Sequence, residues 1–422
     1  MYVADSRAST PAASAEGTAR PAPAGRYRTA VAPTVLALGT VSLITDVSSE
    51  MVTAVLPLYL VAGLGLSPLG FGLLDGVYNG FSAVVRLVGG HLADRGGGRH
   101  KWVAGAGYAL SALCKPLLLV AHTLTPIGLV LAADRTGKGL RTAPRDALIS
   151  LSSTPETRGR AFGVHRAMDT AGALLGPLAA FLILRATVDG YDAVFTVSFC
   201  VAVTGVLVLV LFVPGGRGGA AAPAARPTLR AALALLAHRD LRRLAVCALL
   251  LGLATVSDSF VYLLLQRRLG VPDRWFALLP LGTAAAFLLL AVPLGRLADR
   301  WGRWRVFLAG HGALLLAYAL LLTSWHGPAL PYAVLALHGT FYAATDGVLM
   351  AAASDSVPEA LRSSGLALVQ TGQAGARFAC SLAFGAAWTL WGDRTALLLA
   401  TAALAACAAY AVSLRPFRKA AV

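Results

Sequence analysis

Long runs of apolar residues recur along almost the whole chain and strongly limit what it can fold into. A helix needs about 20 mostly apolar residues to cross the hydrocarbon core of a bilayer. When breaks are read at proline, glycine and clustered charges, twelve such runs emerge. The predicted spans are 33–62, 68–93, 102–122, 126–151, 160–185, 191–213, 242–266, 274–298, 305–325, 329–354, 362–391 and 394–414.

The composition excludes a set of soluble domains. Only 13% of the 422 residues are charged and 57% are hydrophobic, whereas roughly 25% are charged in an average soluble protein. So few charges cannot cover a soluble surface of this size, so most of the exterior must face lipid. The sequence therefore predicts an all-α polytopic membrane protein. The cysteines fall in apolar stretches without metal-ligand spacing, which indicates neither a disulfide scaffold nor a zinc site: Cys114, Cys200, Cys247, Cys380 and Cys407.

The basic residues are distributed unevenly between the two sides of the predicted topology. With both termini inside, the cytoplasmic segments hold 23 Lys or Arg and the opposite side holds five. This is the positive-inside pattern, so the net charge of +16 indicates membrane orientation and not nucleic-acid binding. We expect a multi-pass protein of the inner membrane with a disordered cytoplasmic tail at 1–32, a cytoplasmic linker at 214–241 and a cytoplasmic tail at 415–422.

The two sets of six spans repeat one another. An offset of 205 residues aligns Gly90-His-Leu-Ala-Asp94-Arg95 with Gly295-Arg-Leu-Ala-Asp299-Arg300. A parallel duplication of this kind predicts two six-helix halves, residues 33–213 and 242–414, with a substrate path between them near mid-membrane.

These repeated loops resemble the signature of the major facilitator superfamily, over essentially the whole chain after residue 30. The second copy, GRLADRWGRWR, follows the family pattern through Arg303, and the first, GHLADRGGGRHK, has Gly98 where the family has arginine. The resemblance implies two pseudo-symmetric six-helix bundles, transport by alternating access, and a gating role for loop and helix-end residues. These are Asp94, Arg95, Asp299, Arg300, Arg303, Arg145 and Asp146.

Two further stretches resemble one branch of that superfamily. Gly172-Ala-Leu-Leu-Gly176-Pro177 is similar to an element associated with antiporters, and Arg135-Thr-Gly-Lys138-Gly139 is similar to one near the proton pathway. The strings ITDVSSEM, GKGLRTAPRDAL and RAFGVHRAMDTAGALLGP look like bacterial drug-efflux-like permeases, some of them nickel-resistance permeases. The alternative interpretation of Gly172 and Gly176 is close helix packing, because small residues at i and i+4 let backbones approach.

Ionisable residues inside the spans are the candidate functional residues, since such groups are costly in a bilayer. Asp46 and Glu50 share one face of the first span, at depths that match Lys138 and Arg135 on the fourth. Paired carboxylates beside cations can exchange a proton, although a purely structural ion network is the alternative. Asp258 is the only acid of the seventh span and a third proton or cation candidate. The remaining intramembrane charges with a predicted pairing or support role include Asp75, Arg86, Asp169, Asp346 and Arg377.

The pattern as a whole predicts a proton-coupled secondary transporter that exports a small amphipathic or cationic molecule. No phosphate-binding glycine loop is found, so we expect neither ATP-driven transport nor an enzyme. The alternative is a divalent-metal exporter. Imidazole groups suit nickel, but the eight histidines form no cluster, which argues against this alternative. A transport-inactive membrane sensor is the second alternative. We expect no cofactor, a monomer, and the small molecule, protons and lipid as the partners.

Overall fold

The structure is a computed structural model that describes residues 31–95, 100–154, 157–188, 190–215, 237, 239–325, 327–355 and 362–414. These residues are almost entirely helical and include no strand. The tails predicted at 1–32 and 415–422 and the linker predicted at 214–241 lie wholly or mostly outside them. The side chains of Arg86, Asp94 and Arg95 also lie outside the described part of the chain.

The N-terminal half folds into six long helices. Their bounds are α1 Pro33–Leu58, continued by a π-helical turn at Tyr59–Gly63, α2 Pro68–Arg95, α3 His100–Val120, α4 Leu124–Leu151, α5 Arg158–Ala186 and α6 Gly190–Phe212.

The C-terminal half repeats this arrangement with two interruptions. Its helices are α7 Arg239–Ala254, α8 Asp258–Leu269, the single turn α9 Asp273–Phe276, α10 Leu279–Trp301, α11 Arg303–Leu322, α12 Leu330–Asp355 and α13 Arg362–Leu414. Within α13 the helix is kinked at Gly392, whose φ is 83°. Because such a φ favours glycine, the break predicted between the last two spans falls at this residue.

Each of the twelve predicted spans coincides largely with helix in the described residues, but the seventh and the eighth are not continuous. The seventh was predicted as one helix over 242–266, and the structure divides it into α7 and α8 around residues 255–257. The backbone N–H of Val256, which the break releases from the helix, donates to the Tyr318 hydroxyl at 2.8 Å. A side chain from another helix therefore satisfies the broken turn, which is the kind of partner that a local sequence pattern does not predict.

The helices are suited to a bilayer. Eight helical stretches among the described residues are long and apolar enough to cross a membrane. Many large apolar side chains on them are exposed, among them Leu129, Leu211, Leu289 and Leu390. Because an aqueous surface rarely presents large continuous apolar areas, these faces contact lipid. The fold is that of an all-α polytopic membrane protein.

Two close helix contacts organise the N-terminal half, and glycine is required at both of them. A Cβ atom added at Gly172 would lie 2.5 Å from the Leu43 carbonyl oxygen, and one at Gly176 would lie 2.7 Å from the Glu50 Cβ. These two glycines, with Pro177 beside them on α5, therefore let α5 lie directly against α1. The second contact joins α3 and α4.

The main contact between the two halves joins α2 to α13. We call it the α2–α13 seam and define it by Gly72, Gly76, Ser381 and Gly385. A Cβ at Gly72 would lie 2.4 Å from the Ser381 carbonyl oxygen, so the two backbones touch there. The seam lies toward the end of the molecule that holds the turns at 64–67, 121–123 and 270–272, here called the distal end. Phe181 and Trp275 also meet across the halves at this end, with ring centroids 5.0 Å apart.

Candidate functional site: polar networks between the helices

The first buried network joins α3 to α4 around Asp134. Its carboxylate accepts a hydrogen bond from Ser111 at 2.5 Å, from Lys115 Nζ at 2.8 Å and from Arg135 Nη2 at 2.7 Å. The guanidinium of Arg135 also stacks on the Tyr78 ring, 3.7 Å from its centroid. All the charged members are buried, and both carboxylate oxygens have a cationic partner. This closed group holds three helices together.

Glu50 lies close enough to Arg135 to interact with it electrostatically, as the matched depths predicted, but the direct partners of Arg135 are other groups. Arg135 is bound to its neighbour Asp134 and to Tyr78. The sequence prediction compared the membrane depths of residues on α1 and α4 alone. It did not consider Asp134, the acid next to Arg135, or Lys115 on α3.

The second network joins α1, α4 and α5 around Asp46. Arg141 Nη2 donates to Asp46 Oδ1 at 3.1 Å, and the Arg141 guanidinium also lies 4.6 Å from the Tyr108 ring centroid. The carboxyl groups of Asp46 and Asp169 lie within hydrogen-bonding range of each other. Asp169 Oδ1 has no hydrogen-bond partner among the described residues, although Arg145 Nη1 lies 3.7 Å away.

The same network extends by one helical turn. Ser42 lies four residues before Asp46 on α1, and His165 lies four residues before Asp169 on α5; the two bond at 2.9 Å. Arg145 reaches both Ser42, at 3.3 Å, and Asp146, at 3.1 Å. Arg145 and Asp146 were predicted to share a gating role with Asp94 and Arg95. The structure places Arg145 inside the helix network, and the loop side chains lie outside the described residues, so the gating role stays a prediction.

Lys138 lies between the two networks on α4. Its ammonium is near enough to both Asp46 and Glu50 to interact electrostatically with each carboxylate. The predicted proximity of these three groups is therefore present, although no direct bond joins Lys138 to either acid in the described contacts. Asp46 also has an acid beside it on α5, Asp169, which the i, i+4 spacing on α1 did not predict.

A third polar cluster surrounds Asp258, the first residue of α8. Its carboxylate accepts a short hydrogen bond from the Tyr342 hydroxyl, and His338 Nε2 lies 3.6 Å away. Arg377 is close enough to act on it electrostatically. Tyr262 donates to Thr283 at 3.0 Å, and Thr283 lies 3.5 Å from His338 Nδ1.

His338 was missed because the sequence was searched for histidine clusters and not for one histidine near an acid. It is fully buried, while the side chain of Asp258 remains 29% exposed. A weak signal existed, since His338 and Tyr342 are spaced i, i+4 and so share one face of α12.

Asp75 lies at the α2–α13 seam and has a different environment. It is 6% exposed, and Ser381 donates to its Oδ2 at 2.6 Å across the seam. A small cavity adjoins it, lined by Thr53, Tyr78 and Ser259 among others. Within the described residues no Lys, Arg or His forms an ion pair with this carboxyl group.

The remaining predicted residues take less central places. Arg303 lies 3.7 Å from Asp299 one turn away, at the junction of α10 and α11 where Arg300 is also exposed. Asp346 on α12 and Arg377 on α13 are both half-buried. No group of three or more His, Cys, Asp or Glu side chains in the described part of the chain has the arrangement of a metal site.

Comparison with known families identifies what this helical frame is. The family model of the Major Facilitator Superfamily matches residues 38–381. The chain belongs to this superfamily. An uncharacterized transporter of the same superfamily from Methanocaldococcus jannaschii is 29% identical over 376 residues, 86% of this chain and 90% of that protein. An uncharacterized protein of Mycobacterium tuberculosis is 36% identical over 157 residues, which are 37% of this chain and 38% of that protein.

Solved transporters share the fold of this major facilitator protein. The nucleoside transporter NupG superimposes with a TM-score of 0.78 at 14% identity, over 91% of this chain and all (100%) of that one. A bacterial homolog of the human lysosomal transporter Spinster, in an inward-facing and unoccupied conformation, gives 0.74 at 15% identity, over 91% and 97% of the two chains. The chain is therefore a multi-pass membrane transporter with a small-molecule substrate.

Proposed function

We propose that this transporter exports a small amphipathic or cationic molecule in exchange for protons, by alternating access. The observation that carries the proposal is the position of Asp46, between the Arg141 guanidinium and a second carboxyl group, Asp169. Two carboxyl groups in contact oppose one another when both are ionised, and they can hold one proton between them. The orphaned oxygen of Asp169 is the atom that such a proton would satisfy.

Residues 33–213 would rock against residues 242–414 around a central cavity between the halves. A proton bound at Asp46, or at Glu50 near Lys138, would weaken the attraction to the cations of α4 and so favour one facing state. Asp258, partly exposed and ringed by Tyr342 and His338, would offer the C-terminal half a carboxylate for a cationic substrate. The drug-efflux-like stretches around Gly172 and Arg135 favour this branch over uptake.

The cellular setting is part of the proposal. The excess of Lys and Arg on one side favours an inner-membrane protein with both termini in the cytoplasm. The distal end, where the α2–α13 seam is closed, would then face away from the cytoplasm. We propose a monomer, because charged side chains of the spans pair within one chain, as Asp134 does with Lys115 and Arg135 and Asp46 does with Arg141.

The second candidate is a divalent-metal exporter of the same fold, favoured by the similarity of ITDVSSEM and the neighbouring strings to nickel-resistance permeases. The solved neighbours are named as nucleoside and peptide transporters, so the fold alone does not select a substrate. A transport-inactive sensor would have the same fold and would transport neither probe below.

Transport in proteoliposomes tests these candidates directly. Purified protein is reconstituted with an acidic lumen, and uptake of ethidium or tetraphenylphosphonium is measured together with proton release, with Ni²⁺ as the alternative probe. We expect organic-cation uptake driven by the pH gradient in the wild type. Asp46→Asn should abolish the dependence on the gradient while probe binding survives, and the exposed Asp192→Asn serves as the matched control.

A fold defect must be separated from uncoupling, because Asp46→Asn leaves Arg141 without its partner. The double variant Asp46→Asn with Arg141→Gln removes the unpaired cation and should remain uncoupled. If Asp46→Asn and Glu50→Gln each release protons with wild-type stoichiometry, the coupling site is elsewhere. Uptake of Ni²⁺ alone would favour the metal exporter.

A further inference from the structure

The buried acids of this protein differ in what neutralises them. Asp134 has Lys115 and Arg135, while Asp46 has Arg141. Asp75 is as deeply buried as Asp134, and its carboxyl group has only hydroxyl partners among the described residues. Moving an ionised carboxylate into such a site without a cation is strongly unfavourable, and the group normally takes up a proton instead.

The atoms around Asp75 suit a protonated carboxyl group. Ser381 already donates to Oδ2 at 2.6 Å. The hydroxyls of Ser257 and Ser259 lie beside the same carboxyl, and Ser257 Oγ is buried without a hydrogen-bond partner in the described residues. The Ser257 hydroxyl can donate or accept, so it can accept the O–H that a neutral carboxyl group donates. Ser257 precedes α8 and Ser381 belongs to α13, so both bonds would cross from one half to the other.

The ionisable groups facing this position do not replace the missing cation. From α8 the nearest is Asp258, a second acid whose charge opposes that of Asp75. From α13 the Cys380 thiol lies near Asp75 and donates a hydrogen bond to the Thr255 carbonyl oxygen. Arg377, one turn from Ser381 on the same helix, interacts electrostatically with Asp258. On the side of α1 and α4, the Thr53 and Tyr78 hydroxyls share a hydrogen bond. Arg135 forms a salt bridge with Asp134 and stacks on the Tyr78 ring.

The seam around Asp75 is closed by backbone contact. A Cβ at Gly385 would lie 2.5 Å from the Pro68 carbonyl oxygen, and the Leu69 N–H donates to Thr389 Oγ1 at 2.9 Å. These contacts hold the two helices together on the distal side of Asp75. Opening the seam would expose Asp75 and allow it to ionise.

We propose that Asp75 is a proton-binding site that closes the distal end: the α2–α13 seam closes when Asp75 is protonated and opens when it is ionised. The proposal rests on the alternating-access part of the proposed function and not on the identity of the substrate or on Asp46. The linkage has a definite sign. Protonation is favoured at low pH, so the closed population should rise as pH falls and decline as pH rises.

The experiment measures the seam directly, without substrate. Spin labels are attached to cysteines introduced at Val188 in the N-terminal half and Arg394 in the C-terminal half, both exposed at the distal end. Only Cys200 and Cys407 need replacement, because the other three cysteines are buried. Distance distributions are recorded on the full-length protein in lipid nanodiscs between pH 5 and pH 9.

We expect the closed-to-open ratio of the wild type to fall with rising pH, by up to about tenfold per pH unit at the steepest point, the limit for one linked proton. Asp75→Asn imitates the protonated acid and should stay closed, with less than about a twofold change across the range. Asp192→Asn, the same change at an exposed acid of the distal end, should keep the wild-type pH dependence. Ser381→Ala keeps the carboxyl group and should lower the closed fraction about fivefold, with the pH dependence intact.

Several results would overturn the assignment. One is a wild-type seam whose closed-to-open ratio does not change with pH. Another is an Asp75→Asn variant that keeps the wild-type pH dependence or whose seam is permanently open. Loss of the response in Asp258→Asn but not in Asp75→Asn would move the site to Asp258. If Asp75→Asn does not fold, a pH-independent seam in Ser381→Ala contradicts the proposal by itself. A failure of organic-cation and proton exchange in proteoliposomes would leave this conformational result unaffected.

Discussion

The two halves of the transporter share one fold but treat their buried charges differently. In the N-terminal half, Asp134 and Asp46 are bound directly by basic side chains whose exposure is 7% or less. In the C-terminal half, Asp258 accepts its hydrogen bond from a phenol, faces an imidazole and keeps 29% of its side chain exposed. Ions that neutralise one another fix the geometry of a helix bundle, whereas a carboxylate with neutral donors remains able to take a new partner. Asp134 and Asp46 are thus neutralised by direct cationic partners, whereas we expect Asp258, with its partly exposed carboxylate, to remain able to take a ligand.

The largest effect should separate Asp134 from Asp258. Asp134→Asn leaves Lys115 and Arg135 buried around a neutral amide, and removing one partner of such a group costs about 3–5 kcal/mol. Asp258→Asn keeps an acceptor for Tyr342 and should cost about 1 kcal/mol or less. Thermal unfolding of both variants in one detergent, followed by tryptophan fluorescence and size-exclusion chromatography, gives the comparison. Equal losses of stability would show that the two carboxylates have the same role and would remove the contrast between the halves.

A smaller effect should show how closely α1 and α5 must approach for Asp46 and Asp169 to meet. Gly176→Ala places a methyl group against Glu50 and should destabilise the protein by about 1–3 kcal/mol, as overpacking does. Gly163→Ala, on the same helix with open space around its Cα, should be neutral or stabilising by up to about 1 kcal/mol. Thermal unfolding of the pair is the measurement. If both variants behave alike, the glycines of α5 are not there for packing.

The sequence predicted the membrane spans, the duplication and the family, because these depend on apolar length and on motifs that a single chain displays. It also predicted that Lys138 lies near Asp46 and Glu50, since depth follows from counting residues along straight helices. Counting residues cannot predict partners on a third helix, because these depend on how each helix is rotated about its own axis. Asp169 beside Asp46 and Lys115 beside Asp134 are of this kind.

One unused signal was available in the sequence. Lys138, Arg141 and Arg145 are spaced by three and four residues, and so are Ser42 with Asp46 and His165 with Asp169. Such spacings put each set on one helix face, and a search for matching faces would have proposed the network around Asp46. The break before Asp258 and the seam at Asp75 had no comparable signal, because they are made by contacts between distant parts of the chain.

The smallest effect on stability is expected at Asp299, and it tests whether the repeated loop differs in kind from both networks. Its side chain is 63% exposed and lies 3.7 Å from Arg303, so Asp299→Asn should change the free energy of unfolding by no more than about 0.5 kcal/mol. The family resemblance implies gating, which predicts slower transport of the proteoliposome probe at unchanged stability. Asp192→Asn, an exposed acid at the distal end, should alter neither quantity. A wild-type transport rate in Asp299→Asn would contradict a gating role for this loop. The role of the loop would then be to orient the protein in the membrane through its positive charge, and gating would depend on the helix contacts.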